Sequence, residues 1–247
     1  MFLLAPLFFL ASAHANERHF TYTYDTEVLP VEARELELWT TFLPMESGML
    51  DMKQRAELEF AVSPKLMSAF YLNWSGGMHG SSFDGVSSEW KVNLLSRTVE
   101  PLGLALYGEV GVGPEEVELE AKLLLDKEVG PLLLAYNLVG EAEIESEMSG
   151  AEVESEVEYV MEHDLGATWR FSPHFSAGVE LRNHTEFPEG EFEHAAFFVG
   201  PTVAYSSTSW WAALSVLPQV YAIHDEPGLV LDEHVMDEAR LLVGFHF

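Results

Sequence analysis

The chain has no cysteine, and only 12 of its 247 residues are lysine or arginine. The first absence rules out a disulfide framework and thiolate metal chemistry. The second sets 12 cations against 41 aspartates and glutamates, a formal charge of −29. Nucleic acid is thereby excluded as a partner, because phosphate binding needs clustered cations. Long apolar runs are missing too. After the first residues no stretch of about 20 apolar residues occurs, so no helical membrane span is predicted. Strong acidity often accompanies disorder, but 48% hydrophobic and 12% aromatic residues argue for a packed fold. That fold must house many carboxylates.

What is present begins with Met1 to Ala15, an apolar run from Phe2 to Leu10 followed by Ala13-His14-Ala15. The run is too short for a helical span, and the small residues of the triplet suit signal peptidase. Residues 1–15 are therefore expected to be an export signal, although no Lys or Arg precedes the apolar run.

The rest alternates with a period of two. Leu36, Leu38 and Phe42 share one face, with Glu35, Glu37 and Trp39 on the other. Glu116, Glu118, Glu120 and Lys122 oppose Val117, Leu119, Ala121 and Leu123. A helix would scatter those glutamates around its circumference, whereas a strand separates the two chemistries. The final stretch does the same. Leu241, Val243, Phe245 and Phe247 form an apolar face, and Arg240 and His246 lie on the other.

Connections sort by length. Short ones are expected at Ser63 to Lys65, Arg97 to Pro101, Asp126 to Gly130, Ser172-Pro173 and Ser206 to Thr208. Longer or more polar ones are expected near Pro44 to Asp51, Ser75 to Gly85, Glu145 to Glu154, Thr185 to Glu191 and His224 to Glu233, with one tight fold-back at Val112 to Glu115. Starting at Arg34 the strands number twelve. An even count, with short turns at one end, suits an antiparallel barrel in an outer membrane. A soluble β-sandwich would show the same alternation. The export signal, the two-sided loop lengths and the apolar, Phe-terminated last strand favour the barrel, which has no edge to expose.

Three stretches are distinctive: Phe20-Thr21-Tyr22-Thr23-Tyr24, then Glu27-Val28-Leu29-Pro30, then Glu35-Leu36-Glu37-Leu38-Trp39-Thr40. With Leu102 to Glu109 and Asn137-Leu138-Val139, they resemble an uncharacterised family of Gram-negative outer-membrane β-barrel proteins. The family pattern has Gly or Lys after Leu-Pro, where this chain has Val31-Glu32. The resemblance implies an all-β, transmembrane up-and-down barrel in a Gram-negative outer membrane, in contact with its lipid. It supplies no catalytic residue. The terminal strand Leu241, Val243, Phe245, Phe247 is similar to the one such barrels present to the barrel-assembly machinery. Three parts are expected: residues 1–15 as signal peptide, 16–32 as an N-terminal strand-like or lumenal extension, and 33–247 as barrel.

With apolar faces on lipid, the lumen would receive Glu35, Glu37, Glu57, Glu59, Glu89, Glu109, Glu118, Glu120, Glu158, Glu162, Glu180 and Glu238. Basic partners there would be Arg55, Lys91, Lys122, Arg170, Arg182 and Arg240. Such a lumen is either a structural ion-pair network or a charged ring passing small or cationic solutes. Among the aromatics, Trp74, Trp90, Trp169, Trp210, Trp211 and Tyr136 suit interfacial girdles, while Trp39 is expected to pack inside.

Other classes leave weaker traces. The glutamates of Glu141 to Glu158 could hold a hard divalent cation or serve adhesion, but lack an Asp-x-Asp-x-Asp-Gly loop. Ser81, Ser82, His79 and Asp84 share one loop, as a rim hydrolase would require, without a Gly-x-Ser-x-Gly elbow. His163, His174, His184, His194, His224, His234 and His246 are scattered, with no metal-ligand spacing, and are expected in loops or at interfaces. No cofactor and no resident metal is called for.

Overall fold

A computed structural model describes residues 17–44, 50–77, 80–149, 152–224, 230–231 and 234–247. The expected export signal and His79 lie outside the described residues. Twelve strands form one closed antiparallel barrel: β1 (Arg34–Pro44), β2 (Leu50–Ser63), β3 (Leu66–Gly77), β4 (Gly80–Leu95), β5 (Gly103–Val112), β6 (Glu116–Val129), β7 (Leu132–Ser149), β8 (Glu152–Ser172), β9 (Phe175–Pro188), β10 (His194–Ser206), β11 (Trp210–Ile223) and β12 (Asp237–His246). Each pairs with its sequence neighbours, and β12 closes on β1 with Glu35 opposite His246 and Phe42 opposite Ala239. Past the ladder's end, the Phe247 N–H donates to the Arg34 carbonyl at 3.0 Å.

Alternation decides what each face meets. Glu37 is fully buried while its neighbour Leu38 is 44% exposed. The exposed face carries Leu36, Leu58, Phe70, Leu106, Leu119, Leu165 and Val179 around the barrel. An apolar exterior of this extent costs nothing in hydrocarbon and would be untenable in water. Phe245 and Phe247 are exposed and Leu241 and Val243 half-buried on this outer face, with Leu242 and Gly244 turned inward. Trp90, Trp169 and Trp210 also point outward. Trp211 does not: it is fully buried in the lumen, donating its indole N–H to Glu35 at 2.6 Å. It occupies an inward position of β11, and its buried N–H needs the acceptor that Glu35 provides.

Several expected loops are strand. Gly77 pairs with Gly80, and Ser149 with Glu152, so the Ser75–Gly85 and Glu145–Glu154 stretches are hairpins. A tilted strand of about 9–11 residues suffices to cross hydrocarbon. β7 and β8, with 18 and 21 residues, overshoot it, continuing the Glu-x-Glu alternation beyond their other neighbours. β9 runs on to Pro188 and turns at Glu189 and Gly190, both with positive φ (52° and 86°). Asp126 belongs to β6 rather than to a turn, because the reversal is made at Gly130-Pro131. The last shift moves the Asp126 carboxylate from an expected turn into the lumen, where it is buried.

The N-terminal segment is not a strand. A closed barrel leaves no edge for a thirteenth, and residues 17–33 instead enter the lumen from the short-turn end and return to begin β1 at that same end. Phe20, Thr21, Tyr22, Thr23, Tyr24, Thr26 and Leu29 are all buried, consecutive residues alike, which a strand with one lipid face could not show. The exit is a turn in which the Ala33 N–H donates to the Pro30 carbonyl at 3.0 Å and Glu32 takes φ 76°. A positive φ at this third position of the turn is one that glycine adopts at no steric cost and glutamate does not.

Candidate functional site

A segment without ladder partners must satisfy its backbone N–H groups some other way, or lose about 1–3 kcal/mol for each one buried. Lumenal side chains do this. Glu180 of β9 accepts from the N–H groups of Thr21 (3.2 Å), Tyr22 (2.8 Å) and Thr23 (2.6 Å), and from Ser215 Oγ (2.6 Å). Asn137 of β7 reads one residue in both directions, accepting from the Tyr24 N–H at 2.6 Å and donating to its carbonyl at 2.9 Å. Asp126 of β6 accepts from the Thr26 N–H and hydroxyl, both at 2.9 Å. Asn93 of β4 donates to the Thr26 carbonyl at 2.7 Å.

The side chains of the segment fill the bore. Phe20 packs with Leu133 and Ala135, over Gly166. Tyr24 joins Trp39, Tyr107, Leu124, Trp211 and Leu242, its ring 5.3 Å from Tyr107. Tyr22 packs on Phe198 and Leu217. Cations cover both tyrosines. Arg240 lies 3.7 Å from the Tyr22 ring, and Arg18 and Lys122 lie 3.8 Å and 4.5 Å from that of Tyr24. At the short-turn end Arg97 reaches Asp25 at 3.1 Å and also pairs with Asp126, joining segment to wall. Burial works against ionisation of Asp25, yet the Arg97 guanidinium beside it holds its carboxyl below the usual carboxylate range.

The segment separates two cavities. One, of 720 Å³, opens among the short turns and is lined by Arg18, His19, Asp25, Arg97 and Arg170. The other, of 580 Å³, is a vestibule at the long-strand end with Tyr22 and Tyr24 in its lining. Glu109, Glu116, Glu118, Glu120, Glu141, Glu143, Glu145 and Glu162 surround it, against Lys53, Arg55, Lys122, Arg182 and Arg240. Many of the glutamates face each other directly across strands, Glu118 with Glu143, Glu120 with Glu141 and Glu143 with Glu158. Like charges opposed in this way repel unless a cation or a shared proton lies between them.

Of the remaining lumenal residues, Glu35, Glu37, Glu57, Glu59, Glu89, Glu180 and Glu238 are buried, and Glu118, Glu120 and Glu158 half-buried. Arg55 pairs with Glu109 at 3.3 Å, Lys122 with Glu120 at 3.0 Å, Arg170 with Glu128 at 2.9 Å, and Arg182 with both Glu238 (2.7 Å) and Glu162. Lys91 is buried 5.9 Å from the Tyr24 ring. Arg240 donates to Thr41 Oγ1 of β1 at 2.8 Å while it stacks on Tyr22, so it joins the segment to the wall. The hydrolase grouping does not assemble among the described residues: Ser81 and Ser82 are exposed, and Asp84 accepts from Ser75 at 2.8 Å.

A family model matches residues 12–247. The chain belongs to a family of unknown function, DUF6662. No curated protein matches it in sequence. In fold, the DUF6662 chain is similar to an outer membrane channel from Pseudomonas putida F1, with a TM-score of 0.64 and 10% identity over 90% of this chain and 98% of that one. It is also similar to the porin KdgM, solved in complex with disordered oligogalacturonate, with a TM-score of 0.53 and 9% identity over 86% and 99% of the two chains. At such identities the likeness concerns the fold, which is that of an outer-membrane β-barrel.

Sequence reasoning missed the residues that hold the segment. Asn137 is a single polar residue at an inward position of the otherwise apolar Leu132 to Val139, and that interruption was the available signal; Asn93 and Asp126 stand among other charged residues and had none. It also missed a histidine group. His184 and Glu186 sit two apart on one face of β9, and the register sets Glu186 directly opposite His194. The His-x-Glu spacing was legible; the pairing and the arrival of His234 from the β11–β12 connection were not.

Proposed function

We propose that this DUF6662 protein is a channel of the Gram-negative outer membrane for small cationic solutes, closed at rest by its own residues 17–33. The observation that carries this reading is the way the segment is held. It fills the lumen between two cavities, yet contributes no rung to the wall ladder, so it can leave while all twelve strands stay paired. The names of the fold relatives, a channel and a porin, agree with a conducting role. Preference for cations follows from the vestibule, whose carboxylates outnumber its basic groups and concentrate counter-ions at the entrance. The short-turn end would then face the periplasm and the long β7–β8 hairpin the exterior.

The test is conductance in planar bilayers of the refolded chain and of one lacking residues 17–33, each verified as a barrel by heat-modifiable gel migration. The full chain should be mostly silent and the shortened one should pass a steady, cation-selective current, less selective after Glu118→Gln with Glu120→Gln. A shortened chain that folds and conducts no better than the full one defeats the plug; an anion-selective current defeats the acidic vestibule as filter.

A further inference from the structure

Three histidines far apart in sequence meet at the long-strand end of the lumen. His184 and Glu186 come from β9, His194 from β10, and His234 from the connection between β11 and β12. Glu186 Oε1 lies 2.7 Å from His184 Nε2 and 2.8 Å from His234 Nδ1, while its Oε2 lies 3.7 Å from His194 Nδ1. The His184 and His234 rings are 4.1 Å apart, and His194 stands 6.0 Å from His234. His184, Glu186 and His234 each present a ligand atom within 4.8 Å of the others, and Glu186, Glu193 and His194 form a second such group.

Two features set this group apart from a chance meeting of polar side chains. His194 is 5% exposed and its Nε2 has no hydrogen-bond partner, an expensive state for a buried imidazole with nothing to bind. His184 has carboxylate oxygens at both nitrogens, Glu162 Oε1 2.5 Å from Nδ1 and Glu186 Oε1 2.7 Å from Nε2. A ring so placed carries either two protons, or one proton and a cation at its other nitrogen. The second arrangement is the carboxylate–histidine–metal relay that orients metal-bound imidazoles. Arg182, 3.0 Å from His184 Nδ1, braces Glu162 from behind.

We propose that His184, Glu186, His194 and His234 form a binding site for one divalent transition-metal ion of the zinc class. Imidazole donors select such ions over calcium and magnesium, which prefer all-oxygen sites. Metal–nitrogen bonds of about 2.0–2.1 Å in a tetrahedron put neighbouring ligand atoms about 3.3 Å apart. The two nitrogens grouped on Glu186 Oε1 therefore open by about half an ångström to admit the ion. His234 lies beside Val235, which packs on the cluster of Tyr22, Phe198 and Leu217. Metal capture would thus fasten the β11–β12 connection to the wall and to the tip of the segment in the lumen.

Zinc titrated by calorimetry into the refolded full-length chain should bind one equivalent, and cobalt(II) should give the intense visible absorption of a tetrahedral nitrogen-containing site. His234→Gln, lying outside the strands and harmless to barrel closure, should weaken binding by more than the 10–100-fold that loss of an outer partner typically costs, and Glu162→Gln by about that 10–100-fold. Excess calcium should displace neither ion. Absence of stoichiometric binding overturns the proposal, as does binding that calcium competes away or that survives both His234→Gln and His194→Gln, for then the acidic vestibule holds the metal. These readouts do not involve conductance, so they stand or fall separately from the channel reading.

Discussion

In a Glu180→Ala variant, three backbone N–H groups of the lumenal segment, those of Thr21, Tyr22 and Thr23, lose their acceptor together with the Ser215 hydroxyl. Hydrogen bonds to a charged group contribute about 1.5–3 kcal/mol each, and a buried donor left bare costs about 1–3 kcal/mol. With the Thr21 hydroxyl, 3.4 Å from the same carboxylate, the five donors share two oxygens, so their contributions overlap rather than add. The vacated side-chain volume is polar enough to admit a water, which recovers part of the loss. A net weakening of about 3 kcal/mol in docking follows, and at about 1.4 kcal/mol per decade the undocked fraction rises roughly 150-fold. The wall is untouched, because β9 keeps its ladder to β8 and β10.

The fraction of time a single molecule conducts in a planar bilayer reads that shift directly, and protease cleavage near Thr21 reads it independently. Glu180→Gln should fall between the alanine variant and the native chain. It keeps one acceptor oxygen but turns an amide N–H toward groups that are themselves donors. The reasoning fails if Glu180→Ala, migrating as a folded barrel, conducts as rarely as the native chain and leaves Thr21 equally protected. In that case the segment is held by its aromatic packing, and the carboxylate is an accessory.

Three further outcomes follow from the same geometry. A Cβ at Gly166 would lie 2.5 Å from the Phe20 ring, so Gly166→Val should expel that ring and raise leak current, with Phe20→Ala in the same chain relieving the clash; unchanged conductance in Gly166→Val would place Phe20 elsewhere. Glu32→Gly should relieve the positive φ at the exit turn and raise the urea midpoint by the equivalent of about 1 kcal/mol, and a lowered midpoint would contradict the turn assignment. Asp25, held below its ordinary range by Arg97, contributes its stabilisation fully above that range and loses it as pH falls through the depressed value. Open probability should therefore climb on acidification below about pH 4, and Asp25→Asn should raise it at neutral pH and blunt the acid response; an acid response of full size in the variant would assign it to other carboxylates.

The wall was legible because its rule is local. Each of Glu35, Leu36, Glu37 and Leu38 declares its face by parity alone, and the closing pair of β1 with β12 follows from even strand number. Hairpin tips were less so, since Ser75 to Gly85 and Glu145 to Glu154 have the composition of loops. Ladder hydrogen bonds and continued alternation override that preference. The lumenal segment was the hardest to place. The alternating Phe20 to Tyr24 reads as a strand, and only barrel closure, a property of the whole chain, denies it an edge and sends it inside.

That segment changes what the acidic excess is for. Carboxylates crowded on the inner face look in sequence like one population, a ring waiting for cations. In the fold they divide by what faces them. Glu180 and Asp126 meet backbone N–H groups, and Glu109, Glu120, Glu162 and Glu238 meet guanidinium or ammonium groups. Glu118, Glu141 and Glu143 meet chiefly one another, at the vestibule. The first set fastens the segment in the bore, and in the proposed channel the last would draw cations toward it. In that channel a cation drawn in by the opposed glutamates would arrive at Tyr22 and Tyr24, whose rings are already covered by Arg240, Arg18 and Lys122. Entry of a cationic solute would then displace a protein cation from an aromatic face. In that exchange of like for like, a solute's own binding would loosen the segment blocking its path.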